Sequence, residues 1–113
     1  MNVTTANVGG VVVLRVQEPR LTYPLLTDFA AAAARLIAGG EKKILVDLTP
    51  VGYVDSATIG CLMDLYRQAS AAGGALKLAG VQKRVETMLT MTGAHNFLEV
   101  HPDEASALAS FGG

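Results

Sequence analysis

Val46-Asp47-Leu48-Thr49-Pro50-Val51-Gly52-Tyr53-Val54-Asp55-Ser56-Ala57-Thr58-Ile59-Gly60 decides how the rest of the chain is read. Its opening residues complete the apolar run Ile44-Leu45-Val46-Asp47-Leu48, the pattern of a central strand covered on both faces. Pro50 and Gly52 break that strand, and a short loop delivers Asp55-Ser56 to the first turn of a helix. The helix is predicted from about Ser56 to Ala72, with Ile59, Leu62, Met63, Tyr66 and Ala69 inward and Asp64, Arg67 and Gln68 outward. Gly73-Gly74 stops it through a left-handed cap. A hydroxyl at Ser56 lies beside unpaired backbone N–H groups at the positive end of the helix dipole, where a phosphate is accepted without local strain. Unmodified, Ser56 reads as the N-cap, its oxygen receiving the amide of Thr58 or Ile59, a bond worth about 1 kcal/mol.

Working outward, Val11-Val12-Val13-Leu14-Arg15-Val16 follows Gly9-Gly10 and predicts a turn and then a strand, with a short partner strand around Asn2 to Val8. Arg20 to Pro24 reads as irregular, and Pro24 opens a helix whose face is Leu26, Phe29, Ala30, Ala33 and Ile37, ending at Gly39-Gly40. Beyond the central helix, Ala75 to Ala79 reads as another core strand. A helix carrying Val81, Val85, Met88, Leu89 and Thr92 on one face follows, ending near Gly93. Phe97-Leu98-Glu99-Val100 reads as a short edge strand. Pro102-Asp103-Glu104 starts a last helix with Ala105, Leu108 and Ala109 inward. Strands and helices alternate, so the expected architecture is α/β: a mixed, largely parallel sheet of about four or five strands packed against four helices. Ligands of such sheets approach at the strand C-termini, the edge that holds Asp47 and the Asp55-Ser56 loop.

Composition limits the function. A chain of 113 residues predicts one domain over 1–113. Half the residues are hydrophobic and 17% charged, which predicts a packed globule rather than a disordered tail. Nine basic residues balance ten acidic ones, the only adjacent basic pairs are Lys42-Lys43 and Lys83-Arg84, and Trp is absent; no nucleic-acid partner is expected. The single Cys61 permits no disulfide framework, and His95 and His101 lack zinc-ligand spacing. The start Met1-Asn2-Val3-Thr4-Thr5 carries no secretory pattern, and Arg35 interrupts the longest apolar stretch. The expectation is a cytoplasmic domain with no cofactor, no metal and no direct membrane insertion.

Enzymatic readings fare poorly. Asp47 at a strand end suggests a phospho-accepting receiver aspartate, but that chemistry needs an acidic pair after the first strand and a downstream lysine. Glu18 stands alone there, and no lysine follows Lys83. Asp47 is better read as satisfying loop amides. Asp47 and Asp55 lack a neighbour that would separate their pKa values for acid–base work. Ser56 has no GxSxG elbow, and the Gly9-Gly10, Gly39-Gly40 and Gly73-Gly74 pairs match no phosphate-binding pattern. Cys61 reads as a small core residue, and His95 and His101 as loop or cap residues. Tyr53 and Met91 are open between exposed contact and core. No enzyme is expected.

Leu45-Val46-Asp47-Leu48, followed by Val54-Asp55-Ser56 with Ile59-Gly60, resembles the STAS family, the anti-sigma factor antagonists. The resemblance continues through Ala72-Gly73-Gly74-Ala75-Leu76, Leu89-Thr90-Met91-Thr92-Gly93, Phe97-Leu98-Glu99-Val100 and the terminal helix with Ala105 and Leu108. It implies a domain that binds a serine-kinase anti-sigma factor, is switched off by phosphorylation, and is restored by a PP2C-type phosphatase. By position it implies Ser56 as the acceptor, with Asp55, Ser56, Thr58 and Ile59 as the partner-binding segment. The family's usual Asp-Ser-Ser-Gly-hydrophobic-Gly is here Asp55-Ser56-Ala57-Thr58-Ile59-Gly60: Ala57 replaces the second serine, and Thr58 replaces the first glycine and adds a second hydroxyl. Near the N-terminus the usual Gly-x-hydrophobic-Asp is replaced by Arg20-Leu21-Thr22-Tyr23. Two other functions fit the same pattern: a non-switching STAS subunit of a stressosome-like or lipid-transport complex, and a small-molecule or nucleotide binder at the strand ends.

Overall fold

The computed structural model describes residues 1–112; Gly113, the last residue of the predicted 1–113 domain, lies outside the described residues. The chain begins as a hairpin of β1 (Val3–Val8) and β2 (Val11–Val16), paired antiparallel with Val3 opposite Val16 and Val8 opposite Val11. Gly9 and Gly10 form its two-residue turn at φ +58° and +84°, a backbone that twists with the strands and that side chains resist. A short β3 (Arg20–Leu21) leads into α1 (Tyr23–Ala38). Then come β4 (Lys43–Asp47), β5 (Tyr53–Val54), α2 (Ser56–Ala71), β6 (Ala75–Ala79) and α3 (Lys83–Met91). A 3-10 turn (Ala94–Asn96), β7 (Val100–His101) and α4 (Glu104–Ser110) complete the chain.

Five strands form a mixed sheet in the order β1-β2-β4-β6-β7, in which only the β1–β2 pair is antiparallel. This is the α/β architecture the alternation predicts, with four α-helices. Ile44, Leu45 and Val46 in β4 have no exposed surface, because helices cover both faces. On one face Leu14, Ile44, Val46 and Leu78 meet Phe29 and Ala33 of α1, Leu62 and Leu65 of α2, and Val85 and Leu89 of α3. On the other, Val11, Val13, Leu45 and Ala79 meet Ala107 of α4, with Leu108 and Phe111 at the margin. Truncating a side chain as enclosed as Leu62 to alanine costs about 2–5 kcal/mol.

Several expectations are corrected. Arg20-Leu21 is not irregular but pairs in parallel with Tyr53-Val54 as a separate two-stranded sheet. In α2 the buried set is Thr58, Ile59, Leu62, Leu65 and Ala69, while Met63 and Tyr66 are only half-buried. In α3 only Val85 and Leu89 are fully inside, and Thr92 is exposed. The expected strand 97–100 starts late: Phe97 and Leu98 close a turn on the Ala94 carbonyl, and β7 holds only Val100 and His101. In α4, Ala107 and not Ala105 or Ala109 faces the sheet. Ion pairing sets that rotation: Glu104 meets Arg15 of β2 through two bonds of 2.8 and 2.9 Å, and Lys77 of β6 reaches the Ser110 carbonyl at 3.0 Å. Residues 104, 107, 108 and 111 therefore share the inner face.

Candidate functional site

The parallel register of β3 with β5 sets Leu21 beside Val54, so the residues that follow each strand emerge side by side. Those residues begin α1 and α2, and the two helices start together. Asp55, extended at φ −101° and ψ 176°, is the N-cap of α2. Its Oδ1 accepts the Thr58 amide at 2.9 Å, and its Oδ2 accepts the Tyr23 amide, in the first turn of α1, at 2.9 Å. One carboxylate thus supplies acceptors to two helix N-termini, each of which has donors without helical partners. Burial opposes ionisation of Asp55, but the donors from Thr58 and Tyr23 outweigh it and hold the carboxyl below its ordinary value.

This corrects the assignment of Ser56 as the cap. The carboxylate one residue earlier reaches the third helical amide, and Ser56 occupies the first helical position instead. It is exposed, as are Ala57 and Gly60, and among the described residues its hydroxyl has no intramolecular hydrogen bond. Thr58 is the opposite case. With no exposed surface, its hydroxyl lies 2.7 Å from the Leu21 carbonyl oxygen and 2.7 Å from Asp55 Oδ1, and its single proton is donated into that pair. Ile59 is 4% exposed. The expected four-residue segment is therefore split by depth: Ser56 and part of Asp55 face outward, whereas Thr58 and Ile59 brace the loop from below. The second hydroxyl that Thr58 offers in the sequence is not at the surface.

The loop feeding this corner is tied at several points. Asp47 Oδ1 accepts the Thr49 amide at 2.8 Å and the Thr49 hydroxyl at 2.5 Å, the amide-satisfying role expected of it. Gln82 donates to the Thr49 carbonyl at 2.7 Å, and the Gly52 amide donates to the Pro19 carbonyl at 2.9 Å. Gly80 is required beneath it: at φ +71°, a Cβ would lie 2.1 Å from Thr49 Oγ1. Burial, and then the neighbouring Glu104, push Asp47 above its ordinary pKa. Arg15 holds Glu104 down at about 2. Asp47 thus belongs to an Arg15–Glu104 cluster under α4, on the sheet face opposite α2, and is not part of the Ser56 surface.

Sequence reasoning missed Tyr23. It is 73% exposed at the start of α1, and its amide is held by Asp55 next to Ser56. The available signal was its place just before Pro24, off the apolar face of α1. Tyr53 is half-buried under the Arg20 guanidinium, 4.5 Å from its ring centre, and Met91 is 78% exposed at the end of α3. Cys61 is half-buried, and burial raises its thiol pKa.

The STAS domain family model matches residues 2–107. The chain belongs to the STAS family. A curated relative from Thermotoga neapolitana, named among the anti-sigma factor antagonists as a TM1081 homologue, is 29% identical over 69 residues. The match spans 61% of this chain and about three fifths, 61%, of the relative's length. Two solved structures share the STAS fold closely. The STAS domain protein of Planctomyces limnophilus superposes at a TM-score of 0.89 over 98% of each chain, with 17% identity. The Bacillus cell-fate determinant SpoIIAA, in its phosphorylated form, superposes at 0.75 over 97% of this chain and 99% of its own, with 17% identity. Among the described residues no helix is long and apolar enough to cross a membrane.

Proposed function

We propose that this STAS domain is an anti-sigma factor antagonist whose exposed corner at Ser56 docks a serine-kinase anti-sigma factor and is switched off by phosphorylation there. One observation carries the reading: the Ser56 hydroxyl is exposed and uncommitted because Asp55 has taken over the capping of α2. A kinase can approach it, and transfer of a phosphoryl group to Ser56 Oγ would break no bond that holds the fold. Tyr23, whose amide is held by the neighbouring Asp55, and Ala57 and Gly60 of α2 are exposed as well, and the chain has a fold neighbour, SpoIIAA, known in a phosphorylated form. Thr58 and Ile59 contribute by fixing the loop. A PP2C-type phosphatase would return Ser56 to its free hydroxyl, and the chain itself performs no catalysis.

The test is phosphoryl transfer in vitro. The domain is incubated with ATP, Mg²⁺ and the serine-kinase anti-sigma factor of its own genome, and the product is read by intact mass and peptide mapping. One phosphoryl group on Ser56, absent from Ser56→Ala, is expected. Stable binding without any transfer would replace the switch with the non-switching structural subunit.

A further inference from the structure

The two edges of the five-stranded sheet are built differently. The β7 edge holds only two residues and is followed at once by Pro102, the usual way an edge is kept from pairing. The β1 edge is six residues long, Val3-Thr4-Thr5-Ala6-Asn7-Val8, with no charge, no proline and no bulge in its register. Among the described residues, β2 is the only element that packs along it to more than a marginal extent. None of the devices that protect a long edge is present.

The hairpin register says which of its backbone groups are free. The Gln17 amide donates to the Asn2 carbonyl, and Val8 and Val11 close the two-residue turn, so the even-numbered residues of β1 point their N–H and C=O groups at β2. Val3, Thr5 and Asn7 therefore point theirs outward. A second copy placed antiparallel about a two-fold axis through Thr5 sets Thr5 against Thr5 and Val3 against Asn7. Each strand then donates three N–H groups and accepts at three C=O groups, with none left over. The axis is perpendicular to the sheet, so side chains of one face stay on one face and the two sheets run on as one.

We infer that the β1 edge, centred on Thr5, is a self-association surface that joins two copies of this chain into a continuous sheet. The occupant is a second copy because the strand is its own two-fold complement in both hydrogen bonding and charge. Two six-residue edges form an interface below about 1,200 Å², so the association is weak and concentration-dependent. It is independent of the kinase reading, since β1 contributes no residue to the Ser56 corner.

Sedimentation velocity of the intact chain over a concentration series, with backbone amide exchange, tests it. The wild type is expected to move from 11.7 kDa toward twice that mass, with the Thr5 amide slowed as it does so. Thr5→Pro removes an outward N–H without breaking a bond to β2 and should stay monomeric. Thr5→Lys and Thr5→Glu, each placing like charges across the axis, should also be monomeric alone. Mixed together they should associate again, because opposite charges then face each other. A wild type that is monomeric throughout overturns the inference, as does a Thr5→Lys dimer or a mixture that fails to associate. Thr5→Pro is read only with a native circular dichroism spectrum, and the charge pair stands without it.

Discussion

The Asp55 carboxylate accepts the backbone amide of Tyr23 at 2.9 Å, although 32 positions separate the two residues. Through that bond, and the one to the Thr58 amide, α1 and α2 share a single capping group. The corner that presents Ser56 is therefore set by helix capping, and its stability is separable from its chemistry.

Removing the shared cap should cost more than removing an ordinary one. A single N-cap is worth about 0.5–2 kcal/mol, so Asp55→Ala, which strips two helices, is expected to lose about 1–4 kcal/mol in urea denaturation. Asp55→Asn should fall between. An amide side chain has one acceptor oxygen, and its NH₂ would face the second backbone donor. Amide exchange should speed up at both Tyr23 and Thr58 in Asp55→Ala; acceleration at Thr58 alone would mean that the tie to α1 carries no energy.

Ser56→Ala should leave stability within about 0.5 kcal/mol of wild type, as expected for an exposed side chain with no internal bond. Equilibrium unfolding at neutral pH measures this directly. A loss several times larger would place the hydroxyl in a structural role and remove the separation between fold and switch.

Two glycines should respond in opposite directions. Gly80→Ala forces a side chain into the left-handed region against Thr49 Oγ1, and is expected to cost about 2–5 kcal/mol from backbone strain plus overpacking. Gly60 lies inside α2 with open space where its Cβ would be, so Gly60→Ala should stabilise by about 0.5–1 kcal/mol. If Gly60→Ala also weakens partner binding while raising the melting temperature, close approach at that helix turn is the reason a glycine stands there.

Most of this architecture is legible along the chain because it is written in period: apolar runs for β4 and β6, helical spacing for α1 to α3, and Gly-Gly for the hairpin turn. What is not legible comes from contacts across the chain. The β3–β5 pair has two residues a side and no pattern of its own, yet it aligns the starts of α1 and α2. Either Asp55 or Ser56 could cap α2 by local preference, and the choice falls to the aspartate because it has two oxygens for two helices. Tyr23 was missed for the same reason. The face of α4 depends on Glu104 meeting Arg15, 89 positions away, which a seven-residue helix of small residues does not announce.

That ion pair predicts the acid response. Arg15 holds Glu104 at about 2, and Lys77 followed by His101 hold Glu99 at about 2, against an ordinary 4.5. Both carboxyls release protons more readily in the folded chain, so their stabilisation is complete above about pH 4.5 and is lost as pH falls toward about 2. Asp47 has the opposite sign: its raised pKa contributes stability at low pH that is lost as pH rises through the folded value. Glu104→Gln should therefore flatten the fall in stability between pH 4.5 and about 2, and Asp47→Asn should remove a loss of stability that sets in as pH rises above about 3.8. Chemical denaturation at a series of pH values checks both slopes; an unchanged profile in Glu104→Gln would show that the pair contributes nothing to folding.

The last prediction concerns the switch itself. Phosphorylation of Ser56 adds about −1.5 to −2 charges at neutral pH. The first turn of α2 tolerates them locally, because the helix dipole presents its positive end there. The fold should survive, with the melting temperature nearly unchanged. Binding should not. Asp55 is held ionised beside Ser56, so the modified corner carries two adjacent anions where the unmodified one carries one, and a kinase bringing its own nucleotide phosphates meets stronger like charge there. We expect affinity to fall by about 1–3 kcal/mol, or about 5–150-fold. Ser56→Asp should lose part of this and Ser56→Ala none of it, since alanine removes no contact that the fold needs and adds no charge. Titrating the kinase against the unmodified, phosphorylated and two substituted forms at fixed salt gives the four affinities. Raising the salt should narrow the gap between the phosphorylated and unmodified forms, because screening weakens repulsion between exposed charges. If the phosphorylated form binds as tightly as the unmodified one, Ser56 is not a switch, and the domain holds its partner as a fixed structural subunit.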